Sequence, residues 1–69
     1  MPRQGLERQF LATWEAAEWL DLRPNTLEKM RIRGNGPVYR KHGRYVRYHR
    51  EDLVAWSEAN KQQSTANVR

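Results

Sequence analysis

The sequence predicts a mainly α domain carrying one small β-hairpin, with its elements in the order α-α-β-β-α. Three observations lead there. Apolar residues recur at helical spacing between Ala16 and Met30, with a break around Asp21-Leu22-Arg23. The cluster Gly34-Asn35-Gly36-Pro37 then ends the helical pattern, and the period becomes two from Val38 to Tyr48. Helical spacing resumes between Arg50 and Ser57.

Residues 1–9 are polar, hold a Pro and a Gly and have no period, so they read as a flexible arm, with folding expected to begin near Phe10 and Leu11. The first helix is expected over about Thr13–Leu20, with Ala16, Ala17, Trp19 and Leu20 facing inward and Glu15 and Glu18 near the positive end of its dipole. Two caps are open to it. Thr13 is the better N-cap residue, but Glu15 stands at the third helical position only if Ala12 is the cap. Pro24 suits the first position of a second helix, where its missing N–H is no loss, and Leu27 with Met30 forms the first apolar pair. That helix should run to about Arg33. Two short helices on a tight turn make a helix-turn-helix, with Asn25, Thr26, Glu28, Lys29 and Arg31 presented to solvent.

In the hairpin, Val38–Lys41 and Arg44–Tyr48 are the expected strands, and His42-Gly43 is the expected turn. Strand alternation sends Val46 and Tyr48 towards the helices, and Tyr45 and Arg47 outward. The third helix, Arg50–Ser57, carries Glu51 and Asp52 in its first turn and turns Leu53 and Trp56 inward. The domain therefore spans residues 10–60, and the polar, patternless 61–69 read as a disordered tail.

A chain of 69 residues can bury only a modest core, which makes a binding module the default. It has no cysteine, hence no disulfide and no thiolate zinc site, and His42 and His49 are its only neutral-pH metal ligands. No cofactor, metal or small-molecule substrate is expected. No apolar run approaches the roughly 20 residues of a membrane span, and MPRQGLERQ lacks the apolar centre of a signal peptide, so the expected location is the cytoplasm. The formal net charge of +5 is unevenly placed: Arg23–Arg50 holds nine Lys or Arg and one acid, Glu28, whereas the remainder holds four basic and seven acidic residues. A field concentrated in this way attracts a polyanion. Arg40, Lys41, Arg44, Arg47 and Arg50 are interleaved with Tyr39, Tyr45, Tyr48 and His49, a mixture suited to phosphate contact. Helix and hairpin could then touch one duplex together, the helix in the major groove and the hairpin along the backbone or in the adjacent minor groove.

The run FLATWEAAEWLDLRPNTLEKM followed by GNGPVYRKHGRYVRYHREDLVAW resembles the small winged helix-turn-helix proteins related to the MerR DNA-binding domain, in particular the excisionase and AlpA-like group. The resemblance covers residues 10–57. It rests on Glu15-Ala16-Ala17, Pro24-Asn25-Thr26-Leu27, Gly36-Pro37, Gly43-Arg44, Val46-Arg47-Tyr48, Asp52-Leu53 and Ala55-Trp56 in that order and spacing. It implies that Asn25, Thr26, Lys29 and Arg31 read the major groove, with Arg23 at the entrance and Glu28 on the same face. It implies likewise that Arg40, Lys41, Arg44 and Arg47, with His42 at the tip, form the DNA-contacting wing. Three positions depart from the family pattern: Arg23 replaces a small capping residue, Asp21 stands at a turn position usually held by Gly, and Met30 at one often aromatic.

What the resemblance implies functionally is an excisionase, or recombination directionality factor, of a phage or integrative element. Such a protein binds double-stranded DNA near an attachment site, associates with further copies of itself there, bends the DNA and biases an integrase towards excision. The alternative is an AlpA-like transcriptional regulator on promoter DNA, and a third reading is a module whose basic face meets an acidic protein. No nucleophile–base constellation, phosphate loop or metal cluster suggests an enzyme. Trp19 and Trp56 read as core residues. Trp14 reads equally as cover for the core edge or as an exposed protein contact.

Overall fold

The computed structural model describes residues 8–62, so most of the expected arm and tail lies outside the described residues. Its elements are β1 (Phe10–Leu11), α1 (Thr13–Trp19), α2 (Pro24–Arg33), β2 (Arg40–His42), β3 (Tyr45–His49) and α3 (Arg50–Ala59). Three helices and an antiparallel hairpin form a winged helix-turn-helix, to which β1 adds a third strand in the sheet order β1-β3-β2. β1 pairs Phe10 with His49 and Leu11 with Tyr48, bringing the start of the domain against its last strand. The Arg50 N–H donates to the Gln9 carbonyl at 3.0 Å and extends that seam.

Local chemistry accounts for the helix ends. Ala12, not Thr13, is the N-cap of α1, and its N–H donates to the Glu15 carboxylate at 2.9 Å. The turn after α1 closes with Leu22 N–H on the Ala17 carbonyl (2.8 Å) and Asp21 N–H on the Glu18 carbonyl (3.1 Å). This is a Schellman closure, and it places Asp21 in the left-handed region at φ 62°. α2 ends in the same way on Gly34 (φ 79°), with Asn35 N–H reaching back to the Met30 carbonyl at 3.1 Å. α3 is capped by His49, whose Nδ1 accepts from the Glu51 N–H at 3.2 Å.

The fully buried core consists of Leu11, Ala16, Ala17, Leu27, Tyr48 and Leu53, with Trp19, Leu20, Met30 and Val46 packed against it. Each buried leucine contributes on the order of 2 kcal/mol. The two alanines let α1 and α2 approach closely. Trp56 corrects the expectation of a core residue: it is half-buried at the margin, its indole N–H donating to the Asn35 carbonyl at 3.4 Å, so it braces the loop after α2. The hairpin turn is Gly43-Arg44, not His42-Gly43, because His42 pairs with Tyr45. Gly43 alone of the two has a positive φ (67°), the arrangement of a type II′ turn, whose twist matches that of the flanking strands.

Candidate nucleic-acid interface

α2 turns Leu27 fully inward and Met30 partly so, leaving Asn25, Glu28 and Lys29 exposed on the opposite side. Arg23, just before the helix, is exposed and makes no side-chain cap, while Thr26 is half-buried. The expectation that Arg31 projects into solvent is corrected. Its guanidinium is half-buried: one Nη1 donates to Thr13 Oγ1 (3.2 Å) and to the Tyr48 hydroxyl (3.1 Å), and the group lies 5.7 Å from the Tyr39 ring centre. Ala12 has taken the cap position, so the Thr13 hydroxyl is available to accept this bond. Arg31 thereby ties α2 to α1 and to β3 and fixes the angle at which the second helix is presented.

The hairpin divides its cations. The register Arg40↔Arg47, Lys41↔Val46 and His42↔Tyr45 sets Arg40, His42, Tyr45 and Arg47 on the outer face, and Lys41 on the face shared with Val46 and Tyr48, which meets the helices. The outer cations are engaged within the fold. Arg40 lies 3.8 Å from the Asp52 carboxylate and 5.2 Å from the Phe10 ring centre; Arg47 donates to the Val46 carbonyl at 2.8 Å and covers the Tyr45 ring at 5.2 Å. His42 stands edge-on to Phe10 at 5.0 Å. Lys41 and Arg44 at the tip are exposed and, like Lys29 and Arg33 on α2, have no ion-pair partner among the described residues.

A second helix whose outer side is free, followed by a hairpin with unpaired cations at its tip, is the arrangement of a duplex-binding module. A family model described as a helix-turn-helix domain matches residues 10–61. The chain belongs to this helix-turn-helix family. The family includes excisionase-like and AlpA-like small DNA-binding proteins, so the chain is a DNA-binding helix-turn-helix protein whose partner is double-stranded DNA. No curated protein matches it.

Within that family frame, Trp14 is 62 % exposed on α1. No group of His, Cys, Asp and Glu among the described residues could hold a metal, and none of their helices is long and apolar enough to cross a membrane. Sequence reasoning missed Ile32 and Arg33, both exposed on α2. The signal for Ile32 was available, since it lies seven residues after Asn25 and three after Lys29, off the stripe of Leu27 and Met30.

Proposed function

We propose that this DNA-binding protein is an excisionase, a recombination directionality factor that binds beside an attachment site and biases an integrase towards excision. The observation that carries the DNA-contact part is the set of exposed cations without ion-pair partners among the described residues, Lys29, Lys41 and Arg44, together with an exposed Asn25. In this reading α2 enters the major groove with Asn25 and Lys29 towards base edges and Arg23 on phosphate at the entrance, while Lys41 and Arg44 hold the backbone. Glu28 would accept from a cytosine amino group, and Thr26 and Arg31 support the helix from behind. The outer residues Arg40, His42 and Arg47 reach phosphate only where the DNA curves round the hairpin. A module this small reads few base pairs, so useful affinity calls for several copies on adjacent sites, and family membership supports the directionality role.

The test is a DNase I footprint at physiological salt over DNA carrying an attachment site and the neighbouring promoters. Phased protection near the attachment site that spreads cooperatively with protein is expected. Protection confined to a promoter would replace the excision role with an AlpA-like regulatory one, and protection nowhere would overturn the DNA reading.

A further inference from the structure

Ile32 is 83 % exposed, the most exposed of the large apolar side chains among the described residues. It stands on the outer stripe of α2 with Asn25 and Lys29, since intervals of four and three residues bring side chains back to one helix face. Helical side chains lean towards the N-terminus, so Ile32 covers the turn occupied by Glu28 and Lys29 rather than the end of the helix. Its polar neighbours on that stripe are Asn25, Glu28, Lys29 and Arg33, all exposed and none in an ion pair among the described residues. An isoleucine held in water among unpaired polar groups gains nothing from the fold. It gains if the surface meeting those polar groups also offers a methyl group.

We infer that Ile32 is a specificity-determining residue which reads a pyrimidine C5-methyl in the major groove. This rests on the reading that places α2 in that groove. The major-groove edge of an A·T pair carries a thymine methyl beside the adenine donor and acceptor, so an amide and an apolar group on one helix face suit neighbouring A·T pairs: Asn25 meets an adenine edge and Ile32 a methyl. The same methyl is carried by 5-methylcytosine, and the chemistry of recognition is shared.

The experiment measures binding of the full chain to duplexes bearing its preferred site, selected from a randomised pool. Each thymine is then replaced singly by uracil, which removes the methyl and leaves the hydrogen-bonding edge intact. At one thymine or more, replacement should weaken the wild type about fourfold, the value of burying one methyl-sized group. Ile32→Ala should be weaker by a similar factor on the thymine duplex and indifferent to that same replacement. A cytosine-to-5-methylcytosine comparison at that step, with guanine opposite both, separates a reader of any C5-methyl, whose binding the added methyl strengthens, from one that also needs the A·T edge, whose binding it leaves unchanged. Wild-type insensitivity at every thymine, or unchanged sensitivity in Ile32→Ala, would overturn the inference while leaving DNA binding intact. Failure to select any site would instead overturn the parent reading. Because Ile32 is exposed, an unchanged melting temperature should accompany the substitution, and a large drop would make the residue structural.

Discussion

Arg31 and the hairpin tip carry the same charge in the same basic half of the molecule, and they are used in opposite ways. Arg31 is half-buried, donates to Thr13 and Tyr48 and lies against Tyr39, so its charge is satisfied by the fold. Lys41 and Arg44 are exposed with no ion-pair partner among the described residues, so their charge is left for a partner. Charge density therefore marks which half of a small domain would attract a polyanion, but not which of its cations are left free by the fold. Two questions separate them: whether the side chain has acceptors within the fold, and whether losing it costs stability.

The largest effect should come from Arg31→Ala. Two hydrogen bonds from a charged donor disappear and the hydroxyl of fully buried Tyr48 loses its partner, so unfolding free energy should fall by about 2 kcal/mol. In a domain this size that lowers the melting temperature by roughly 10 °C. DNA affinity should fall on every sequence alike as the angle of α2 loosens. An unchanged melting temperature with relaxed base preference would instead make Arg31 a base-reading residue.

A smaller effect of opposite sign is expected at the turn. Asp21 holds φ 62°, which costs a non-glycine residue about 1 kcal/mol, so Asp21→Gly should raise stability by up to that amount. Thermal denaturation checks it, with Asp21→Ala expected to move the other way. If glycine is neutral or harmful here, the Asp side chain is contributing locally more than its backbone conformation costs.

The positions of Asp21 and Gly34 also show how much of the molecule the sequence makes legible. α2 reads almost to the residue because Pro24 and Gly34 are punctuation with a steric cause. The hairpin reads from its period, but its turn is displaced by one residue because cross-strand register, which a local pattern does not encode, decides which two residues are left unpaired. β1 is missed because two residues have no period, and their partners, His49 and Tyr48, lie far along the chain. At the candidate interface, Asn25, Lys29, Lys41 and Arg44 are legible by residue type and exposed in the structure. Arg31 is not, because a long cation can bury its stem and guanidinium while looking like a surface residue in sequence. Ile32 is the reverse, an apolar residue that residue type assigns to the interior and helix phase assigns to solvent.

The smallest effect on stability belongs to the tip and is the most informative about function. Lys41→Ala and Arg44→Ala remove exposed side chains with no ion pair or side-chain hydrogen bond among the described residues, so each should leave unfolding free energy within about 0.5 kcal/mol. Each should nevertheless reduce the slope of log affinity against log salt by about 0.9, the release of one phosphate counterion, and weaken all sequences alike. Titrations at several salt concentrations give the slope directly. Arg40→Ala is the internal control: its guanidinium is already shared between Asp52 and the Phe10 ring, so its slope should change less. Should Arg40 and Lys41 prove equivalent, the outer face of the hairpin touches DNA as closely as the tip, and the duplex must wrap round the wing instead of meeting only its end.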